Sequence, residues 1–135
     1  MASNKLPIFQ VNPSPAGISF ANADGTTVKT IYTAGVEGAL IDNIAVVSDD
    51  TSAVILVLTY NDGTTDFPIG EVSIPVGSGT DGSSPAVNLL SATAMPFLQA
   101  GGGLPLGNAH SLKINAKSAV TAAKTVTLVA FGGNY

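Results

Sequence analysis

The sequence predicts an all-β, single-domain protein of about eight strands, a sandwich or a barrel. Three observations carry that expectation. Short runs rich in Val, Ile, Thr and Tyr recur along the chain, and such side chains favour extended backbone. Clusters of Gly, Pro, Asn, Asp and Ser separate these runs at roughly 8–12-residue intervals, and each of these residues promotes a turn. Only one segment, near residues 88–95, has a pattern that suits a short helix. At 135 residues the chain makes one domain, 1–135. A chain of that size buries roughly two-thirds of its unfolded surface, so it needs no disulfide or metal to fold.

Lys5 to Val11 (Lys-Leu-Pro-Ile-Phe-Gln-Val) reads as a first strand or, with the rest of residues 1–15, as an extended N-terminal arm. Pro7 lacks an N–H, which places this strand at an edge or a start. Asn12-Pro13-Ser14-Pro15 ends it, because residues before proline avoid helix. Ile18 to Phe20 is a short strand and Asn22-Ala23-Asp24-Gly25 a turn. Val28 to Thr33 is the next strand, and two glycines in Ala34-Gly35-Val36-Glu37-Gly38 loosen the link after it.

Leu40 to Tyr60 is the most apolar stretch. Two runs flank Ser48-Asp49-Asp50-Thr51-Ser52, so they read as adjacent strands joined by a hairpin or a tight corner. Ala53 to Leu58 is apolar at every position, which predicts cover on both faces, by a packed sheet on one and by a loop or partner on the other. Asn61-Asp62-Gly63 is a strong turn signal. Phe67 to Val76 follows as a half-buried strand, interrupted near Pro68, with Pro75 marking an edge.

Gly77 to Ser84 is an exposed loop. Asn88-Leu-Leu-Ser-Ala-Thr-Ala-Met suits two helical turns, stopped by Pro96. Leu104-Pro105-Leu106 tucks under the core. His110 to Lys117 alternates, with Leu112, Ile114 and Ala116 inward and Lys113, Asn115 and Lys117 outward. Val126 to Phe131 is almost wholly apolar and therefore central.

Charge is sparse, at 10% of residues. All five basic residues are Lys, and the nine acids all lie at or before Asp81. Residues 1–81 thus carry nine acids against Lys5 and Lys29, a net of −7, and residues 82–135 carry three lysines. The asymmetry can align copies head to tail, or simply follow the loops. An acidic total argues against nucleic acid, which needs a basic footprint. The N-terminus has no long apolar core of a signal peptide, and no apolar run nears the ~20 residues of a membrane span. Synthesis and folding in a bacterial cytoplasm are expected. A weakly charged surface rich in Ala, Thr, Ser and Gly disperses poorly and suits packing against other copies.

No catalytic set is visible. His110 is the only histidine, and no acid follows Asp81 to complete a Ser-His-Asp relay locally. It reads as a rim histidine opening a strand. With no Cys and one His, a zinc site is not expected. Gly77-Ser78-Gly79-Thr80-Asp81-Gly82 has G-x-G-x-x-G spacing but lacks the following helix and distal acid of a dinucleotide site. Asp24, Asp49, Asp50, Asp62, Asp66 and Asp81 sit in turn-like segments; calcium favours such loops, but no EF-hand spacing occurs and solvated turn residues are the simpler reading. Tyr32, Tyr60 and Tyr135 could stack on sugar, although core or rim packing is the commoner use of such residues. No cofactor is expected, and the chain is not expected to be an enzyme.

The order of several segments resembles a known family. Thr27-Val-Lys-Thr-Ile-Tyr-Thr-Ala-Gly precedes Gly38-Ala-Leu-Ile-Asp-Asn-Ile, then Ile69-Gly-Glu-Val-Ser-Ile-Pro and Gly79-Thr-Asp-Gly-Ser-Ser-Pro-Ala-Val-Asn-Leu-Leu. Leu104-Pro-Leu-Gly leads into Leu112-Lys-Ile, and Lys124-Thr-Val-Thr-Leu-Val-Ala-Phe-Gly-Gly-Asn-Tyr follows. Together, over residues 25–135, these resemble the head decoration (cement) proteins of tailed bacteriophages. The resemblance implies a β-sandwich of jelly-roll type, often a homotrimer. It implies a place on the capsid exterior, bridging major capsid subunits against internal DNA pressure, with no enzyme activity, nucleic acid or membrane partner. Residues 1–24 lie outside it. Their extended segment, with Lys5, Leu6, Ile8 and Phe9 as contact residues, reaches onto a capsid or sister subunit by strand addition, or Leu6 to Val11 pairs within its own sheet. The alternative role is a tail- or fibre-associated module that binds host glycans.

Overall fold

The structure, a computed structural model, describes residues 12–98 and 103–135. Ten strand segments form two antiparallel sheets packed face to face. They are β1 (Asn12–Pro13), β2 (Ala16–Ala21), β3 (Lys29–Thr33), β4 (Ala39–Ser48), β5 (Val54–Asn61), β6 (Asp66–Ile74), β7 (Val87–Asn88), β8 (Leu104–Leu106), β9 (Ser111–Ala116) and β10 (Thr125–Asn134). In the first sheet β10 is central. It pairs with β2, and at its far end with β1, along one edge, and with β4 along the other. The outer edge of β4 takes the two short pieces β7 and β8. The second sheet runs β3-β9-β5-β6.

Counting β1 with β2, and β7 with β8, gives eight strands. Their orders, β2-β10-β4-β7/β8 and β3-β9-β5-β6, are those of a jelly roll, two interlocked Greek keys. The fold predicted from the sequence, including the jelly-roll form implied by the resemblance, is the fold observed.

Alternation builds the core between the sheets. Ile44 and Val46 of β4, Leu56 and Leu58 of β5, Leu112 and Ile114 of β9 and Val126 and Leu128 of β10 are all fully buried. Burying each such side chain is worth about 1.5–3 kcal/mol. Gly132 is required where β10 shifts register against β4. A Cβ there would collide with the Leu40 carbonyl oxygen, which only glycine avoids.

Four local expectations are resolved by the structure. Of the hairpin and the corner, the link between β4 and β5 is the corner: residues 49–53 carry the chain from one sheet to the other, because β4 pairs with β10 and β5 with β9. The outer side of β5 is not covered within the described residues, and Ile55 remains 39% exposed. β1 ends at Pro13, inside the Asn12–Pro15 segment expected to end a strand, with Asn12 and Pro13 paired to Asn134 and Gly133. The segment suited to a helix near 88–95 forms β7 and a run of turns, with one helical-type bond, from the Met95 N–H to the Ser91 carbonyl (2.8 Å). The Asn88 side chain, which would have capped that helix, accepts from the N–H groups of Ile44 (3.2 Å) and Leu90 (3.0 Å) and so ties the segment to β4.

Near Pro68, β6 bulges, with Leu58 opposite Gly70 and Thr59 opposite Pro68. Met95 packs over Gly70, where a Cβ would stand 3.2 Å from its sulfur. Leu104 and Leu106 are buried as expected. The expected first strand, Lys5 to Val11, lies outside the described residues.

Candidate functional site

The jelly roll gathers four connections, residues 22–28, 49–53, 75–86 and 117–124, at one end of the sandwich. They are tied together around Asp50, whose residue is only 2% exposed. Its carboxylate accepts from the Thr121 N–H (2.9 Å) and hydroxyl (2.7 Å) and from the Ser52 N–H (2.9 Å). Asp49 accepts from the Thr125 N–H (2.7 Å), and the Asn22 amide donates to the Val120 carbonyl (2.7 Å). The Thr80 hydroxyl donates to the Ser48 carbonyl (2.9 Å), and the Ser48 N–H to the Ser78 carbonyl (2.8 Å).

Burial is the largest single influence on the Asp50 carboxyl and raises its pKa. The bonds from Thr121, Ser52 and Thr51 together outweigh it and hold the group below its ordinary value. Nothing in the sequence separated Asp50 from the other turn acids, because its burial comes from Thr121, 71 residues away. A polar pocket of about 220 Å³ opens beside it, lined in part by Ser52, Ile55, Ser118 and Thr121. With both carboxylate oxygens occupied, Asp50 acts as a pin between loops.

The residues singled out for chemistry are placed apart and used structurally. His110 sits at the opposite end, just before β9. Its Nδ1 and the Tyr60 hydroxyl share a hydrogen bond of 2.7 Å, the rings meet edge to face, and the Gly107 N–H donates to the same hydroxyl (3.3 Å). This is the rim histidine that the sequence suggested. Asp62, whose carboxyl His110 helps draw down, is engaged first by the N–H groups of Thr65 (2.7 Å) and Thr64 (3.0 Å). The glycine-rich segment 77–82 is a turn closed by Asp81, which accepts from the N–H groups of Ser84 and Ser83 and lies below its ordinary pKa for that reason. Of the tyrosines, Tyr32 is buried with its hydroxyl on Asn134 (3.3 Å). Lys5, Leu6, Ile8 and Phe9 lie outside the described residues.

What the fold leaves available is surface. On the first sheet the outward positions are Asn43, Ala45 and Val47 of β4, Thr125, Thr127, Val129 and Phe131 of β10, and Gly17 and Ser19 of β2. None is charged, and Phe131 is 49% exposed. Asp42, the residue bulged out of the β4–β10 register, stands at the border of this face. A groove of about 280 Å³, mostly apolar, runs beside Phe131 between Ala45, Ala86 and Val87. Alternation could not reveal this face, since Val126 to Phe131 is apolar on both sides. No helix among the described residues is long and apolar enough to cross a membrane.

No protein-family model matches the sequence, and no curated protein matches it. Among solved structures, the fold is similar to a chain of the Cyanophage Pam1 capsid asymmetric unit, at 16% identity and a TM-score of 0.46, over 97% of this chain and 91% of that one.

Proposed function

We propose that this protein is a structural component of a phage virion that decorates the outside of an icosahedral head and braces its major capsid subunits. The observation that carries the reading is the agreement between the segment order of residues 25–135, which resembles the decoration family, and the jelly-roll strand order of those same segments. Jelly rolls serve many functions, so the surface has to narrow the choice. A broad, uncharged outer sheet face with an exposed Phe suits docking onto another protein and offers no grip for a phosphate backbone. The polar and ionisable side chains described above bind turns and loops rather than converge on a reacting atom.

In this reading the β10–β4 face rests on the shell, and the segment containing Lys5, Leu6, Ile8 and Phe9 reaches to a neighbouring subunit. The test is co-sedimentation of the purified protein with expanded heads of its phage. Saturable binding is expected, with fewer copies bound by Phe131→Asp. Absence of binding at any concentration would remove the decoration role.

A further inference from the structure

The sandwich exposes strand edges of two kinds. The outer edge of β6 is defended: Pro68 and Pro75 withhold N–H groups, the bulge at Ile69 breaks the register, and Met95 packs over Gly70. The outer edge of β2 is partly closed. Pro15 precedes it, and the Lys29 ammonium donates to the Ser19 carbonyl (2.6 Å) while standing 5.1 Å over the Phe20 ring. The outer edge of β3 is the least defended: it bulges at Ile31 and Lys29 at its start bridges to β2, but no proline withholds an N–H and no side chain is packed over it as Met95 is over Gly70. Lys29-Thr-Ile-Tyr-Thr contains no proline, favours extended backbone, and has no strand beyond it among the described residues. Beside it runs an open groove of about 360 Å³, lined by Ser14, Ala16, Thr30, Ile31, Tyr32 and Thr33. Its lining is uncharged, and Lys29 bridges β3 to β2.

The chain supplies a matching strand. Residues 6–11, Leu-Pro-Ile-Phe-Gln-Val, are uncharged, apolar at four of the five non-proline positions and long enough, at about 3.3 Å per residue, to span an edge the size of β3. They join the described fold at Asn12, where β1 lies along β10 opposite Asn134 and so runs out past the end of the sheet. Asn12, Pro13 and Ser14 are already bonded to β10, so a return onto the same molecule's β3 needs a full reversal before Asn12.

We infer that residues 6–11 of one copy add as a strand to the free edge of β3 in a second copy, seated in the Ser14–Thr33 groove. Each copy then donates one strand and receives one, a head-to-tail contact that closes into a ring. The inference rests on the assembly role proposed above and assigns it a donor and an acceptor.

The full-length protein tests it. Native mass by light scattering is measured for the unaltered chain and for Ile8→Pro, which removes one N–H needed for strand pairing and leaves the described fold untouched. The expected result is a mass of several chains for the first and one chain for the second. Hydrogen exchange at residues 29–33 is expected to be at least about tenfold slower in the unaltered chain, with residues 66–74 unchanged. Because the chain has no cysteine, a mixture of Ile8→Cys and Thr33→Cys chains can form a mixed disulfide only between copies, and that dimer is expected after mild oxidation. A one-chain mass for the unaltered protein overturns the inference. So does an unchanged mass in Ile8→Pro, or protection of β3 in a monomer, which would assign the strand to its own chain. Head binding is assayed separately: a monomer that still saturates heads refutes the ring and leaves the decoration role standing.

Discussion

On the β2–β10–β4 face the outward side chains are small, apolar or hydroxylated apart from the Asn43 amide, and the one charge, Asp42, stands at the border. On the β3–β9–β5–β6 face the outward positions mix apolar, neutral polar and ionic side chains. Ile55 and Val57 lie beside Lys117 paired with Glu71 (3.1 Å), with Lys113 near Asp66 (3.5 Å). Both faces are built on strands, β10 and β5, that are apolar almost end to end. The difference lies in the neighbours. β9 and β6 bring lysines and acids to the outer side of β5, whereas β2 and β4 bring Gly, Ser, Ala and Val to that of β10. A solvated face can carry exposed ion pairs at little cost or gain. A face that docks on protein avoids charge at its centre. The two sides of one sandwich therefore differ in character, the second sheet carrying a solvated, ion-paired face and the first a nearly uncharged one, the side proposed above to dock.

The sharpest test of this contrast uses two neighbours on β10. Leu128 is fully buried between the sheets, so Leu128→Ala is expected to cost about 2–5 kcal/mol in denaturant unfolding. Val129→Thr, one position along on the outer face, is expected to stay within about 1 kcal/mol. If the two cost the same, the assignment of inner and outer sides of β10 fails.

Next in size is the pin that holds the loop end of the two sheets together. Asp50→Asn loses a charge-assisted bond from Thr121 and turns an amide donor toward existing donors, for an expected cost of about 1–3 kcal/mol by thermal or urea unfolding. The same group gives stability a pH dependence. Its folded pKa is depressed below the unfolded value of about 3.9, so its contribution is complete above that value and drains away as pH falls through the folded pKa. Stability of the native chain should therefore be level near neutrality and decline below about pH 4, more shallowly in Asp50→Asn. An equal acid slope in both proteins would show that other carboxylates carry the effect.

On the face proposed to dock, Phe131→Asp is expected to weaken head binding at least tenfold, about 1.4 kcal/mol, while unfolding midpoints barely move. An unchanged isotherm would shift the contact away from β10. The smallest effect is expected on the charged side. Lys117 and Glu71 are each about half exposed, so Lys117→Met should change stability by about 0–1 kcal/mol and leave head binding intact. A loss of binding there would reverse the roles of the two faces.

Much of this architecture was legible in the sequence because period-2 alternation is local. The alternation in His110 to Lys117 gave β9 its faces, and the almost wholly apolar run Val126 to Phe131 gave β10 its central place. Legibility ended where long-range pairing decides. The polar link 48–52 suits a hairpin or a corner equally, and only the pairing of β4 with β10 makes it a corner. Asn88 carries the chemistry of a cap, and its bond to Ile44, 44 residues away, turned that chemistry to another use. Two-residue strands such as β7 leave no pattern to read. The outer face of the first sheet was hidden for a related reason: a run apolar on both sides does not say which side is buried, and the answer came from the neighbouring strands.

The pairing scheme also sets a timescale. Among the described residues only β5 and β6 join as consecutive strands; every other pairing links segments well separated along the chain, β1 with β10 being the extreme. The β5–β6 hairpin can form in microseconds, but the central strand of the first sheet must wait for loops of many tens of residues to close. Such topologies fold slowly. Contacts that form only after the folding barrier slow the reverse reaction instead. A jelly roll wound in this way is protected by the rate at which it comes apart as well as by its free energy, a property suited to a protein that must keep its shape long after it was made.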